Sequence, residues 1–413
     1  MASRRRRPGS NGSNEQSAKT LHEAPLKRPL RVAIACPGVG LAQRGFERMF
    51  QDLFNLVEPD FEVTLFKGGG AVREHEKVLT FLPRNGRFLR TLPVHALFGR
   101  SPIHAECLTF AISLASQLRS SPVDVVHTID PPLTRMLFKF RRLLGLQFRL
   151  LYSHGCTMPP GDYPPADHLQ HVAEGPCREA LAAGIRADAM TLLPCGFYPE
   201  RFEASEDKAA LRRALGVSAG TFVILSVAAL NRAHKRTHHL IDEAAQLQGD
   251  FLLWLDGSMD QGEPDLIDYA RSRLGARCRI SQVPSSKVSD LYRMADLLTH
   301  ASVFEAFGLS IVEAASTGLP LLVHDEPHFR WLVPNPNCWL DMTERGALTR
   351  RWSALMADPD ALVAMRYREG VRERFSWHAL RPGYGALYER VAARPIAGAG
   401  APRVNFYGQL HGR

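Results

Sequence analysis

Two glutamates stand eight positions apart in the run Glu305-Ala-Phe-Gly-Leu-Ser-Ile-Val-Glu313. They flank an Ala-Phe-Gly turn that leads into a helix-like stretch, which Gly318 and Pro320 stop. Glu313 has a plain explanation: Ser310-x-x-Glu313 fits a capping box, in which the acid serves backbone amides and needs no ligand. Glu305 has a weaker one, because a short loop between apolar elements gives an acid little to pack against. The helix start beside it favours a negatively charged group. A second cluster, Asn231-Arg232-Ala-His-Lys235-Arg236, carries cations suited to a diphosphate, Arg232 as a fork and Lys235 as a point charge. The bland alternative is a solvated basic loop. A third run, from Cys36 through Gly38 and Gly40 to Gly45, lies between a strand and a helix. Its glycines either let the backbone approach a ligand at a helix N-terminus or only make a turn. Their spacing is not that of a dinucleotide fingerprint.

The elements that must position these residues alternate between β and α. Short apolar runs read as strands at Leu30–Cys36, Phe61–Phe66, Val123–His127, Phe148–Ser153 and Ala189–Leu193. A second series follows at Phe222–Ala228, Phe251–Leu255, Arg277–Val283, Leu297–His300 and Leu319–Val323. Amphipathic stretches such as Gly45–Leu56, His104–Leu118, His238–Leu247, Lys287–Met294 and Ser310–Thr317 lie between them. This pattern predicts two α/β domains in tandem, each a parallel sheet covered on both faces, joined near Pro194–Asp207. Ligands of such sheets sit beyond the strand C-termini, so the working cleft is expected between the domains.

Composition narrows the class. A chain of 413 residues with 45% hydrophobic and 23% charged side chains is globular and long enough for two cores. The longest apolar stretch, Phe222–Leu230, is about half of what a bilayer span needs. The net charge of +9 is uneven: residues 1–31 hold eight basic and two acidic side chains, so the body is near neutral. A nucleic-acid protein with a basic face is therefore not expected. The basic tail lacks the apolar run of a secretory signal, and seven scattered cysteines form no C-x-x-C pair, so reduced thiols in the cytoplasm are expected. Residues 84–149 are locally basic, with ten basic side chains against three acids. Within them, Met136–Leu146 and Phe81–Phe98 mix apolar and basic residues. They read either as helices packed on their own sheet with arginines outward, or as surfaces for an anionic membrane.

Taken in order, the motifs resemble the retaining glycosyltransferases of family four, which have the GT-B fold: two Rossmann-like α/β domains facing across a cleft. Glu305 and Glu313 match that family's E-x7-E signature, and the run 302–320 is similar nearly throughout. Pro37–Gly45, Ser153-His154-Gly155, the linker Pro194–Phe202 and Val227–Ile241 are similar to its other segments. Composition reads residues 1–29 as a disordered basic tail, and the resemblance implies an acceptor domain over 30–200 and a donor domain over 201–375. A C-terminal helix over 376–395 would return to the first domain, before a loose tail over 396–413. It implies transfer of a sugar from a nucleotide-diphosphate sugar to a hydroxyl acceptor, a lipid or a glycan, by a protein cytoplasmic or peripheral at the inner membrane face. Glu305, His154 and Lys235 would form the catalytic set. Glu305 would meet the donor sugar, His154 the anomeric centre, and Lys235 the diphosphate. Glu313 would hold the ribose, the backbone of Phe307, Gly308 and Leu309 would approach the donor, and Gly38 and Gly40 would line its other side. One position departs: Ala229 stands where the family carries arginine, and Arg232 is the nearest replacement. That departure motivates an alternative, a catalytically impaired GT-B-fold binding or scaffold protein. No metal cofactor is expected. Asp358-Pro-Asp360 reads as a helix start, and His234, His238 and His239 have no acid or cysteine beside them in sequence.

Overall fold

The computed structural model describes residues 28–42, 45–86, 101–156, 158–203, 207–259 and 263–396. The tails beyond them, Arg44, and the apolar–basic piece at 87–100 lie outside the described residues.

The first sheet has seven parallel strands in the order β3-β2-β1-β4-β5-β6-β7. They are β1 (Arg31–Cys36), β2 (Glu62–Lys67), β3 (Glu76–Val78), β4 (Val125–Thr128), β5 (Arg149–His154), β6 (His168–His171) and β7 (Met190–Leu192). The second has six, also parallel, in the order β10-β9-β8-β11-β12-β13. They are β8 (Phe222–Val227), β9 (Phe251–Asp256), β10 (Cys278–Ser281), β11 (Leu297–His300), β12 (Leu321–His324) and β13 (Trp339–Leu340). Helices follow most strands, as parallel pairing requires. The strand β1 shows why its residues are nearly all apolar: Val32 and Ile34 face one core, Ala33 and Ala35 the other, and all four are fully buried. The short edge strands β3 and β13 aside, the strand least visible in sequence is β6: His-Leu-Gln-His is polar, yet every residue in it is fully buried.

The chain crosses between the sheets twice, at adjacent points. Phe197 N–H donates to Phe375 O at 3.1 Å, and Trp377 N–H donates to Phe197 O at 2.9 Å. Gly196 is needed here, since a Cβ would lie 2.4 Å from the Trp377 ring. The helix Trp377–Ala392 then packs on β4, β5 and the helix Gly45–Val57 of the first sheet. A buried polar chain pins it. The Tyr388 hydroxyl meets His127 Nδ1 at 2.9 Å, and His127 Nε2 meets Ser153 Oγ at 2.6 Å. Ser153 donates to Gln170 at 2.6 Å, and Gln170 donates to the Tyr384 hydroxyl at 2.8 Å.

One outward reading needs correction. Arg141, on the helix Pro131–Leu144, is buried rather than exposed, because its guanidinium forms a fork with Asp167 and also bonds Phe148 O at 2.9 Å. Arg28 is bonded to Asp124 at 2.6 and 2.9 Å, at the N-terminal ends of the interior strands β1 and β4. All seven cysteines are free thiols. Among the described residues, no helix is long and apolar enough to cross a membrane.

Candidate active site

Glu305 sits in the loop between β11 and the helix Leu309–Ser316, and it is 8% exposed. Its Oε1 accepts from His300 Nε2 at 2.7 Å and from the Lys235 ammonium. His300 is the last residue of β11, so the strand itself delivers the imidazole. Lys235 is delivered by a tight turn in which Asn231 Oδ1 accepts the amides of His234 and Lys235 at 2.9 and 2.8 Å. His234 Nε2 donates to Phe304 O at 2.7 Å, clasping the two loops together. Burial alone would raise the Glu305 pKa, but His300 and Lys235 outweigh it and hold the carboxyl well below its usual range. Glu305 is therefore a carboxylate held between two donors.

Glu313 is not a capping residue. Its helix is capped by Gly308 in the left-handed region (φ 98°), with no side-chain cap, and Ser310 is already the second helical residue. The first amides of that helix are left for something else to satisfy. Glu313 points inward instead. Tyr292 Oη donates to its Oε2 at 3.1 Å, and Arg48 of the first domain approaches its Oε1 at 3.1 Å. Burial raises its pKa above the ordinary value, despite Arg48 and Tyr292. The Phe307 side chain belongs to the core, packed edge-on against Trp331 and Phe375, and its carbonyl accepts from His328 at 3.0 Å. The Phe307 side chain is therefore not available to a ligand.

From the first domain, the start of the helix Gly45–Val57 meets the start of the Leu309–Ser316 helix. A Cβ on Gly45 would lie 3.4 Å from Leu309 Cδ1, and one turn further in Arg48 reaches Glu313. The starts of the two helices thus face each other across the cleft. His154 ends β5 just behind this line, and a Cβ on the next residue, Gly155, would lie 2.5 Å from the Phe46 ring. The His154 ring lies 4.5 Å from that of Tyr163 and 5.3 Å from that of His171, and its Nε2 has no protein partner among the described residues. Burial lowers its pKa to about 4, so it is neutral near pH 7.

Gly38 and Gly40 have a local explanation. A Cβ on Gly38 would fall 2.4 Å from Glu47 Oε1. Gly40 has φ 80°, and its Cβ would lie 2.0 Å from Gly69 O, because the 37–42 loop interlocks with Gly68–Gly70. Gly40→Ala is therefore expected to destabilise the fold by about 1–3 kcal/mol, read as a lower thermal midpoint. An unchanged midpoint would show that the two loops do not interlock.

The structure does not bring Arg232 to Glu305. Its side chain is exposed, its N–H donates to Glu263 at 2.6 Å, and its charge acts on His238 and Tyr269. The site residues that sequence reasoning missed are His300, Tyr292 and Arg48. Each stands inside a regular element, where only the tertiary arrangement reveals it. Asp358 caps the helix Pro359–Ala364 by accepting two amides, at 3.0 and 3.2 Å. Among the described residues, no group of three or more His, Cys, Asp or Glu is placed to hold a metal ion.

Two parallel α/β sheets of seven and six strands, bridged where Arg48 meets Glu313, are the GT-B glycosyltransferase arrangement. The sucrose-phosphate synthase of Thermosynechococcus elongatus has this fold, superposing with a TM-score of 0.72 at 19% identity over 88% of this chain and 99% of that one. Anabaena HepE, solved in complex with UDP-glucose, superposes with a TM-score of 0.69 at 17% identity, over 87% and 99%. Residues 207–370 match the model of the family Glycosyl transferases group 1. Among curated relatives, the D-inositol 3-phosphate glycosyltransferase of Nocardia farcinica is 29% identical over 238 residues, 52% of each chain. The match thus spans about half the length of that relative.

Proposed function

We propose that this chain transfers a sugar, with retention at the anomeric carbon and without a metal, from a nucleotide-diphosphate sugar to a hydroxyl acceptor. The observation that carries this reading is the pair of buried glutamates flanking one uncapped helix start, with Lys235 bonded to the first. Breaking a glycosyl–phosphate bond builds negative charge on the diphosphate and positive charge on the sugar. Preorganised donors must meet the first. The Leu309 and Ser310 amides, the helix dipole and Lys235 supply them, compensating for the arginine absent at Ala229. The Glu305 carboxylate accepts from hydroxyls of the donor sugar, and Glu313 from those of the ribose. Neutral His154 stands on the opposite wall, toward the anomeric centre. No carboxylate nucleophile is assigned, which separates this site from two-carboxylate glycosidases.

The test is nucleotide release from UDP-, GDP-, ADP- and dTDP-sugars with EDTA present, alongside donor binding in the same samples. Release or binding with one donor supports the reading. Neither with any donor would favour a non-catalytic scaffold.

The acceptor side carries a specific observation of its own. A cavity of about 1000 Å³ lies on the first domain, lined by Arg135, Phe138, Lys139, Arg142, Leu143 and Ile396 among others. Leu143 beside it is 77% exposed. This mix of cations and apolar side chains suits an anionic bilayer surface, at which a lipid acceptor would be met from the cytoplasmic side. Replacing Arg135, Lys139 and Arg142 by Gln is expected to weaken sedimentation with phosphatidylglycerol vesicles about 100-fold, at about 1 kcal/mol per charge. Equal binding by both forms would remove this surface from the proposal.

A further inference from the structure

The contact between Arg48 and Glu313 is one rung of a ladder of alternating charge. Glu313 lies on the second domain and meets Arg48 on the first at 3.1 Å. Arg48 lies 4.0 Å from Asp52, one turn along the same helix. Asp52 is held by Arg201 through two bonds of 2.7 Å. Arg201 follows the crossover at Phe197, and its guanidinium lies 4.6 Å from the centre of the Tyr198 ring. The ladder therefore runs from the buried carboxylate of the site, across the cleft, to the point where the chain passes between domains. Both oxygens of Glu313 are engaged, one by Tyr292 of its own domain and one by Arg48.

We propose that Arg48 is a positioning residue that competes with the donor ribose for Glu313, so that nucleotide binding releases the first domain's hold on the second. This rests on the reading of Glu313 as the ribose acceptor. A carboxylate with its Oε1 on Arg48 cannot give the same lone pairs to a vicinal diol. A bound ribose displaces the guanidinium, which retains Asp52 as a partner on its own helix. The rung between the domains is then open, while the Asp52–Arg201 rung at the crossover stays closed.

The experiment titrates UDP, GDP and ADP, and the 2′,3′-dideoxy form of whichever binds, into the full chain by calorimetry. Wild type, Arg48→Ala and Arg48→Lys are compared. Competition predicts that Arg48→Ala binds the ribose form about fivefold more tightly than wild type, the scale of a partly exposed ion pair. The dideoxy form should bind both proteins alike, and Arg48→Lys should fall between. The ratio of the two affinities is unaffected by a general loss of folded protein, which lowers both equally. An unchanged or smaller ratio in Arg48→Ala, with wild type still binding nucleotide, overturns the competition alone. If no nucleotide binds wild type, the donor reading falls first and the competition with it.

Discussion

Glu305→Gln is expected to slow sugar transfer by about 100- to 1,000-fold, the scale seen when one preorganised polar group is removed from a charged transition state. The substitution keeps the shape of the side chain and removes its charge. His300 and Lys235 both bond Oε1 of this carboxylate, so the loss is not confined to one contact. An amide oxygen still accepts from His300, but Lys235 loses its counter-charge while its side chain is only 15% exposed. Breaking one partner of such a pair costs more than the pair is worth, because the other charge stays poorly solvated. The stability of Glu305→Gln should therefore fall by a few kcal/mol, on the order of what a broken buried pair costs. Glu305→Gln with Lys235→Met should recover part of that stability and none of the activity. A double variant as active as wild type would mean that neither group acts in transfer. The depressed pKa adds a pH signature with a definite sign. A carboxyl whose folded pKa lies below its unfolded value stabilises above the ordinary carboxylate range and loses that contribution only as pH falls through the folded value. Activity at mildly acidic pH should thus not be limited by protonation of Glu305.

Acid should instead unfold the first domain through its histidines. Burial lowers His127, His168 and His171 to about 3, and His154 to about 4. All four lie on three neighbouring strands, β4, β5 and β6. Their folded pKa values are below the ordinary 6.5, so the unfolded chain binds protons first as pH drops. Their stabilisation is complete above about pH 6.5 and is lost progressively down to pH 3–4. Each contributes roughly 1.4 kcal/mol per pH unit inside that window. Four together lose on the order of 10 kcal/mol by pH 4.5, against a typical total of about 5–15 kcal/mol. The thermal midpoint is expected to fall steeply between pH 6.5 and 4.5, with uptake of several protons on unfolding. His171→Leu should flatten that dependence, since neither ring nitrogen has a protein partner among the described residues. An acid midpoint near pH 3, in the range where carboxylates protonate, would show that these histidines are not held neutral.

The sequence made the two sheets legible because parallel strands buried on both faces must be apolar throughout, as β1, β8 and β9 are. It hid β6 for the converse reason. His168, Gln170 and His171 are polar in composition, and only tertiary bonds to Thr191, Ser153 and the Tyr384 hydroxyl account for burying the first two. The E-x7-E spacing located both acids, and Glu305 alone resisted a local explanation. For Glu313 local logic pointed the wrong way. Ser310-x-x-Glu313 has the letters of a capping box, but the left-handed Gly308 starts the helix two residues earlier than that pattern requires. Arg232 was the nearest cation in sequence to Ala229, yet the cation across the cleft comes from Arg48, far away in the chain. Distance along the sequence carries no information about a neighbour supplied by another domain.

The helix Trp377–Ala392 closes the face of a sheet whose first strand was made some 340 residues earlier. During synthesis from the N-terminus, His127, Ser153 and Gln170 emerge long before Tyr384 and Tyr388 exist to bond them. The second domain, contiguous in the chain, has all of its own strands available sooner after it emerges. The half of the protein translated first is thus the half completed last, and in the interval its sheet carries an open polar seam in an otherwise apolar face. A nascent chain stalled before residue 377 would hold a finished second domain and an unfinished first domain, which makes the first domain the segment a chaperone has most reason to attend.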